Sequence, residues 1–367
     1  MRKTTDVRPT IGCSRDKGGT SKPRAVSNVS PKQITYSTFS VERVARLVLQ
    51  HYGLGDSVHC ALFARAMNDI YLICVGERRF ALRVSRSDGN SKRAIEAELR
   101  ALKHLGNRGA PVALPVSRID GTCITEIQAP EGCRCVVLFN WVDGRTPKLS
   151  DPRHALLYGR HLAQLHSASD EMPLERARTS MDLKYLLHHP VRNIRPKLEQ
   201  WPDLAQRLDC LVERLVARLS HDDALSLDTG FCHGDIHSGN ARIDGDRVIS
   251  FDFDTCGAGW RIYDLASYKW EARRRGVERE AWHHFLEGYL ELRPAAAEAL
   301  ALVDVFVILR HLWLSSEWIL LCDVIGHGLL SEGFFESIVP FCEEIESGIP
   351  SPPQSFYVTW PRQQSIA

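Results

Sequence analysis

The 367-residue sequence lacks several features that mark whole classes of protein. Its eleven cysteines are odd in number and contain no Cys-x-x-Cys spacing, the nearest pair being Cys133 and Cys135, so neither a disulfide framework nor a paired metal site is indicated. The formal net charge is only +1, with lysine and arginine spread along the chain, which gives no support for binding to nucleic acid or a membrane surface. We therefore expect a globular cytoplasmic protein with free thiols.

Two further absences concern membranes. The first thirteen residues carry charge but no apolar core of a signal peptide. The most hydrophobic stretch, residues 303–325, is interrupted by Asp304, Arg310, His311 and Glu317. These charges argue against a membrane span and predict a buried core helix or helix pair.

Both ends of the chain differ in composition from the middle. Residues 1–35 carry eight Lys/Arg against two acidic residues and are rich in Ser, Thr, Gly and Pro, so they cannot bury enough apolar surface to order themselves. We interpret them as a flexible basic tail, with an upstream start-codon artefact or a basic docking arm as alternatives. The proline-rich stretch from residue 351 predicts an irregular tail to residue 367.

Between the tails, the pattern changes from strand-rich to helical near Asn140–Gly144. Before this hinge, Ser40 is a predicted N-cap, three short β runs over 58–85 predict an antiparallel meander, and a helix over 92–105 precedes two more strands, the first with an Asp120-Gly121 hairpin signal. After it, helices are predicted over 155–167, 204–219, 280–293, 298–322 and 334–346, with a β segment at 231–253. The fold class is therefore α+β, with lobes at 36–140 and 141–350.

One segment of the helical half carries the chemistry. His233-Gly-Asp235 is followed five residues later by Asn240, and then by the tight-turn pair Asp244-Gly245 and a strand that ends at Asp252. A hairpin of this kind folds Asp252 back beside Asp235 and Asn240. A carboxylate and an amide oxygen suit Mg²⁺, and a second carboxylate can orient a hydroxyl and accept its proton. This set is what phosphoryl transfer requires.

The same residues resemble a known family. The pattern H-G-D-x-x-x-x-N followed by D-F-D resembles the motif of the aminoglycoside phosphotransferase (APH) family, which has a protein-kinase-like, bilobal fold with an antiparallel β-sheet in the N-terminal lobe. The resemblance implies ATP and Mg²⁺ as cofactors, Asp235 as the catalytic base, and Asn240 and Asp252 as metal ligands. It makes Asp254 a supplementary ligand and Asp264 a structural residue.

Within the family, the chain looks most similar to the branch of stress-response kinases and type II-like homoserine kinases. The residues that carry this likeness are F-A-L-R-V in the third strand and Val307-Ile308-Leu309-Arg310 in a late helix. Leu165-His166 resembles a Leu-His pair in the helix after the hinge. The likeness covers residues of about 40–345.

Two positions depart from the family pattern. Arg83 stands where the family has its ATP-binding lysine, and Glu98, fifteen residues on, is the expected ion-pair partner on the next helix. The loop at residues 65–68 contains no glycine, so Asn68, Arg65 or backbone N–H groups would contact the phosphates. Phe139 and Trp141 are candidates for the adenine pocket, with ordinary packing as the alternative.

Three functions are consistent with these residues. The first is a kinase that transfers the γ-phosphate of ATP to the hydroxyl of a small molecule, such as an aminoglycoside, an amino alcohol or a homoserine-like compound. The second is a Ser/Thr protein kinase of the stress-response type, and the third is a nucleotide-binding pseudokinase. A zinc site at His233, Asp235 and His237 is disfavoured because no further ligand cluster accompanies it. The sequence does not indicate an oligomeric state.

Overall fold

The structure is a computed structural model that describes residues 34–348, apart from 66, 175–177, 179, 220–226, 296, 327 and 329. The side chains of residues 323 and 325 are also not described. The predicted basic tail, except residues 34 and 35, and the predicted C-terminal tail lie outside the described residues.

The N-terminal lobe is a five-stranded antiparallel sheet with a helix on each face. Its strands are ordered β1-β2-β3-β5-β4, and the pairing of β1, β2 and β3 confirms the predicted meander. Asp120-Gly121 does form a tight turn, closed by the hydrogen bond from Arg118 N to the Thr122 carbonyl at 2.7 Å, but this turn precedes β4, and the β4–β5 hairpin turns at residues 130–131. The elements are α1 (Val41–His51), β1 (His59–Arg65), β2 (Asp69–Val75), β3 (Arg78–Val84), α2 (Lys92–Asn107), β4 (Ile124–Ala129) and β5 (Gly132–Asn140).

Alternation along β5 explains how one sheet supports two helices. Val136 and Leu138 belong to the core that includes α1, whereas Cys135 and Val137 belong to the core that includes α2. The side chain of Ser40 caps α1 by accepting a hydrogen bond from Arg43 N at 3.3 Å, as predicted. β5 ends at Asn140, where the change of sequence pattern predicts the lobe boundary.

The C-terminal lobe is mainly helical and contains the predicted Asp-Gly hairpin. Its long helices were predicted from the sequence, whereas α6 and the short helical turns between residues 184 and 198 were missed. Its elements are α3 (Pro152–Ala168), a π-helical turn (Lys184–His188), α4 (His189–Ile194), a 3₁₀ turn (Arg195–Leu198), α5 (Pro202–Leu219), β6 (Thr229–Cys232), a 3₁₀ turn (Ser238–Asn240), β7 (Ala241–Asp244), β8 (Arg247–Ser250), β9 (Gly257–Trp260), α6 (Ile262–Arg274), α7 (Glu278–Leu292), α8 (Ala297–Leu300), α9 (Val303–Ile325) and α10 (Glu332–Glu346).

Helix α9 is the core helix of this lobe, which confirms the prediction from its apolar sequence. Phe306, Leu309 and Leu312 on it are fully buried. The stretch Ala297–Cys322 is long and apolar enough to cross a membrane by length and composition alone, and 67% of its most apolar window is buried inside the protein. The cytoplasmic location stays a prediction. None of the ten cysteines that the structure describes is in a disulfide; six of them are buried, while Cys133 and Cys210 are exposed.

The two lobes share one hydrophobic cluster at their junction. Leu99 and Leu102 of α2 pack in it with Phe231 and Phe253, which flank the catalytic segment. Ser250, the last residue of β8, exchanges backbone hydrogen bonds with residues 111 and 113 just beyond α2 at 3.1 and 2.9 Å. The hairpin that carries the motif residues is therefore fixed to the N-terminal lobe at its open end.

Candidate active site

The β7–β8 hairpin gathers the motif residues at one point. Its strands pair from Ala241 with Ser250 to Asp244 with Arg247, so Asn240 immediately precedes the hairpin and Asp252 closely follows it. The N–H of Phe251 donates to the carbonyl of Asn240 at 3.0 Å, which extends this pairing by one step. The predicted return of Asp252 to the loop that holds Asn240 is confirmed.

Asp264 holds the backbone of the catalytic loop. Its carboxylate is fully buried and accepts hydrogen bonds from the N–H groups of His233 at 2.7 Å and Gly234 at 2.8 Å, and it contacts His166 Nε2 at 3.0 Å. Gly234 has φ +83°, and a Cβ there would lie 2.6 Å from the carbonyl oxygen of Thr255, so only glycine fits. The structural role expected for Asp264 therefore has a specific form: it fixes the turn that presents Asp235.

Asp235 is held from two sides. Its Oδ1 accepts a hydrogen bond from the buried guanidinium of Arg310, and its Oδ2 accepts one from Asn240 Nδ2 at 2.9 Å and lies 3.4 Å from His237 Nε2. Its side chain is 23% exposed, which leaves it accessible from the cleft. Burial on its own would raise the pKa of Asp235, but Arg310 and His237 outweigh burial and hold it well below its usual range. The carboxylate is thus ionised and fixed in orientation.

Asn240 has one amide atom left for a ligand. Because its Nδ2 donates to both the side chain and the backbone carbonyl of Asp235, its Oδ1 is directed elsewhere as an acceptor. That is the atom a hard cation would use.

Asp252 and Asp254 form a pair of like charges. Burial is the main cause of the raised pKa of both carboxyl groups, and Arg83 opposes the rise in each. Repulsion from Asp254 adds to the rise for Asp252, and repulsion from Glu98 and Asp235 adds to it for Asp254. Asp252 has φ +65° and is the only non-glycine residue with positive φ in the described part of the chain. Backbone strain of this kind is typical of functional sites, where surrounding structure maintains it. Two adjacent carboxylates in a cleft favour a bound cation.

The segment that follows Asp252 is fixed by three side chains. Asn68 Nδ2 donates to Asp254 Oδ2 at 2.8 Å, and Asn90 Nδ2 donates to the Asp254 carbonyl at 2.7 Å. Arg178 donates to the carbonyls of Asp254 and Cys256. Asn68, predicted to contact phosphate, thus directs its amide at a protein carboxylate across the cleft.

Arg83 and Glu98 form the predicted ion pair. Arg83 Nη1 and Nη2 each donate to one oxygen of Glu98 at 2.8 Å, and the two residues are only 3% and 0% exposed. Arg83 is therefore a buried residue of β3 and not an exposed one. The guanidinium also lies 5.1 Å from the ring centroid of Phe139, which places Phe139 beneath this pair.

Trp141 lies apart from the catalytic loop, just beyond the end of β5. Its ring packs edge-on against Phe63 of β1, with centroids 5.2 Å apart, and the Arg79 guanidinium lies 5.8 Å from it. Among the described contacts, Trp141 and Phe139 each meet N-lobe side chains. Their contact with adenine stays a prediction.

Two charged residues of α9, Arg310 and Glu317, had no role in the site predicted from the sequence. Their charges counted there as evidence against a membrane span. A charge inside an otherwise apolar helix was the available signal, because a buried charge is costly unless it has a partner or a function. Arg310 meets that expectation through its contact with Asp235.

Comparison with known proteins identifies the family. The sequence profile described as "Phosphotransferase enzyme family" (APH) matches residues 61–300. This chain belongs to the APH phosphotransferase family. An uncharacterized protein of Deinococcus radiodurans is 37% identical over 85% of this chain and 91% of its own length. The amicoumacin kinase of Bacillus subtilis is 24% identical over 85% of this chain and 94% of its own length.

Further similarities support the family resemblance and the fold. A homoserine kinase of Methylobacillus glycogenes is 25% identical over 68% of this chain and 76% of that protein. The solved structure of the amicoumacin kinase hAmiN, in complex with AMP-PNP, Ca²⁺ and Ami, superposes with a TM-score of 0.66 at 20% identity, covering 87% of this chain and 96% of that one. The bilobal protein-kinase-like fold is thereby confirmed, and the chain is a small-molecule phosphotransferase of the APH family.

Proposed function

We propose that this member of the APH family transfers the γ-phosphate of ATP to a hydroxyl of a small molecule in a Mg²⁺-dependent reaction. The observation that supports it most is the arrangement at Asp235: one oxygen accepts a hydrogen bond from Arg310, the other accepts one from Asn240, and the side chain stays 23% exposed. A carboxylate fixed in this way can orient an incoming hydroxyl and accept its proton.

The metal-ligand roles follow from the chemistry of the donor set. Asp252, Asp254 and Asn240 Oδ1 offer hard oxygen atoms, and a bound cation would offset the burial and the nearby negative charge that raise the pKa of the two carboxyl groups. When bound, Mg²⁺ supplies positive charge that offsets the charge on the phosphate oxygens. In the proposal, Asp252 is the main ligand and Asp254 a supplementary one.

The N-terminal lobe is proposed to bind the nucleotide. Arg83, oriented by Glu98, supplies a fixed positive charge near Asp252 and Asp254, and it takes the place of the lysine expected from the family pattern. Phe139 and Trp141 are the proposed adenine contacts. The amide of Asn68 acts by fixing Asp254 to the glycine-free loop.

One feature argues against the protein-kinase alternative. Asp264 follows Asp252 by only twelve positions, and the segment between them contains β9, which pairs with β6. This leaves no long phosphorylatable activation segment, so a small acceptor is favoured. The pseudokinase alternative rests on Arg83 and on the glycine-free loop, and the chain carries residues suited to be the base and the metal ligands, which argues against it.

The experiment is a screen for Mg²⁺-dependent ATP consumption with aminoglycosides, amino alcohols and L-homoserine as acceptors. We expect turnover with at least one acceptor class, abolished by EDTA. Calorimetry with AMP-PNP and Mg²⁺ measures nucleotide binding separately. Tight nucleotide binding without turnover on any acceptor would favour the pseudokinase, and labelling of a generic protein substrate would favour the protein kinase.

A further inference from the structure

The segment just before α1 packs against the loop that joins β1 to β2. The hydroxyl of Tyr36 donates to Asp69 Oδ1 at 2.6 Å, and Asp69, the first residue of β2, is fully buried. Burial, and then the hydrogen bond to Asp69, raise the pKa of Tyr36 to about 12, so the hydroxyl keeps its proton and remains the donor. The contact therefore joins a residue upstream of the first helix to one end of the glycine-free loop.

The ring of Tyr36 contacts two guanidinium groups. Arg65, the last residue of β1, lies 4.5 Å from the ring centroid, and Arg134 of β5 lies 4.9 Å from it. The charge of a guanidinium is attracted to the face of an aromatic ring. Arg134 is fully buried and also donates to Asp69 Oδ2 at 3.0 Å, so both oxygens of that carboxylate accept a hydrogen bond. Tyr36 thus contacts the residues at both ends of the glycine-free loop, Arg65 and Asp69.

Ser37 fixes this segment to the turn between β4 and β5. Its Oγ donates to Glu131 Oε2 at 2.7 Å, and its N–H donates to Glu131 Oε1 at 3.2 Å. Its carbonyl accepts a hydrogen bond from Arg134 Nη1 at 2.6 Å. The side chains of Glu131 and Arg134 are almost completely buried. Three hydrogen bonds to the next residue therefore hold Tyr36 in a defined position on the sheet.

The loop that Tyr36 contacts reaches the proposed metal site. Asn68, which immediately precedes Asp69, donates its Nδ2 to Asp254 Oδ2 at 2.8 Å across the cleft. A backbone without glycine has fewer accessible conformations, so fixing Asp69 also restricts the residue before it. A continuous series of contacts thus runs from Tyr36 through Asp69 and Asn68 to Asp254.

We propose that Tyr36 is a positioning residue of the nucleotide site, whose hydroxyl holds Asp69 and thereby keeps the amide of Asn68 in contact with the proposed metal ligand. This inference rests on the proposed function, because Asp254 affects nucleotide affinity only where it helps to bind Mg²⁺ and the phosphates. The competing role is a purely structural one, in which Tyr36 stabilises the N-terminal lobe and leaves the affinity for nucleotide unaffected.

The test compares the full-length wild type with Tyr36→Phe, Asn68→Ala and the double variant. Phenylalanine keeps the ring beside Arg65 and Arg134 and removes only the hydroxyl. Tyr52→Phe is the matched control, because Tyr52 is 1% exposed in the same lobe and its hydroxyl forms no hydrogen bond of normal geometry with any residue that the structure describes.

Four quantities are measured for each protein. Calorimetry gives the affinity for Mg²⁺·AMP-PNP, which needs no knowledge of the acceptor, and competition against AMP-PNP gives the affinity for adenosine. Steady-state kinetics on the best acceptor of the screen gives kcat and the KM values for ATP and acceptor. Thermal unfolding gives the melting temperature.

Tyr36→Phe should weaken the binding of Mg²⁺·AMP-PNP and raise the KM for ATP by about 2- to 10-fold, and by no more than Asn68→Ala does. The kcat and the KM for the acceptor should change by less than about 2-fold. Adenosine carries no phosphate, so its affinity should be unchanged. The double variant should lose no more affinity than Asn68→Ala alone, because both substitutions act on one contact. Tyr52→Phe should behave as the wild type does.

Three results would overturn the inference. A lower melting temperature in Tyr36→Phe with unchanged nucleotide affinity would leave Tyr36 a stabilising residue only. Losses that multiply in the double variant would show that Tyr36 acts independently of Asn68. An equal loss of affinity for adenosine would mean that the whole nucleotide site is disturbed. Failure of the wild type to bind Mg²⁺·AMP-PNP would instead reject the proposed function itself.

Discussion

Two arginine–carboxylate pairs flank the active site, and they differ in what they leave free. Arg83 and Glu98 lie in the N-terminal lobe, are almost completely buried, and use both carboxylate oxygens in a bidentate contact. Arg310 contacts only one oxygen of Asp235, whose side chain remains 23% exposed to the cleft. The first pair is closed. The second holds its carboxylate in place through one oxygen, while the other oxygen, which accepts a hydrogen bond from Asn240, belongs to a side chain that stays partly exposed.

The difference separates structural from chemical roles. A closed, buried pair fixes one strand to one helix, and breaking it leaves an uncompensated charge in the interior. An open pair orients a base without using its whole capacity to accept hydrogen bonds. We therefore expect substitution of Glu98 to lower stability as well as nucleotide binding, and substitution of Asp235 to affect mainly turnover.

The largest effect should come from Asp235→Asn. The amide keeps an oxygen for Arg310 but cannot take the proton of a hydroxyl, so turnover should fall by about two to four orders of magnitude. Steady-state kinetics on the best acceptor measures this loss, and calorimetry should find nucleotide binding retained. Wild-type turnover in this variant would exclude Asp235 as the base.

The next effect concerns the closed pair. Glu98→Gln leaves the Arg83 charge buried with only a neutral partner, so the free energy of unfolding should fall by about 3–5 kcal/mol, measured by urea denaturation. Glu96→Gln, two residues away on the more exposed side of α2, is the control and should stay within about 0.5 kcal/mol of wild type. If Glu98→Gln were as stable as the control, the distinction between the two pairs would fail.

The two pairs also differ in how far the sequence predicts them. Arg83 and Glu98 are fifteen residues apart in a strand followed by a helix, and that local geometry lets a pair be predicted. The same holds for the hairpin that joins Asn240 to Asp252, because Asp244-Gly245 specifies a tight turn. Arg310 lies 75 residues from Asp235, and no local pattern relates them. Its traces in the sequence were a charge within an apolar run and the family likeness of residues 307–310, and neither indicated a contact with Asp235.

The missed elements have a related physical cause. Helix α6 is buried on nearly all sides from Ile262 to Tyr268, so it has no polar face and no helical periodicity to detect. The turns between residues 184 and 198 contain Pro190 and Pro196, which read as helix breakers. In the structure each proline lies in the first turn of its short helix, where its missing N–H costs nothing.

The buried histidine His161 contrasts with both ion pairs, because burial keeps its side chain neutral. His161 is 3% exposed, contacts Ser250 Oγ at 2.7 Å behind the hairpin, and has its pKa lowered by burial to about 3. The pKa of His161 in the folded protein lies below the unfolded value of about 6.5. Its full contribution to the stability of the fold is therefore present above about pH 6.5. Its contribution is lost as the pH falls towards 3. By pH 5 the loss should be about 2 kcal/mol.

The measurement is the free energy of unfolding of the wild type and His161→Gln between pH 7 and pH 5. The glutamine does not titrate. The free energy of unfolding should therefore fall less steeply with falling pH in the variant, by a slope that corresponds to about one bound proton per molecule. Parallel curves for the two proteins would show that His161 is not the titrating group. The difference between the curves cancels the effects of the other histidines.

The smallest effect tests whether the N-terminal lobe contributes to metal binding through Asp254. In Asn68→Ala the hydrogen bond to Asp254 Oδ2 is lost. The contacts of Arg83 with Glu98 and of Arg310 with Asp235 remain. A single hydrogen bond of about 0.5–1.5 kcal/mol corresponds to a rise in the KM for ATP of about 2- to 10-fold, with kcat nearly unchanged. Asn107→Ala, at the exposed end of α2, is the matched control. An unchanged KM for ATP would mean that the glycine-free loop acts without Asn68, whereas a large fall in kcat would make Asn68 a direct partner of the transferred phosphate.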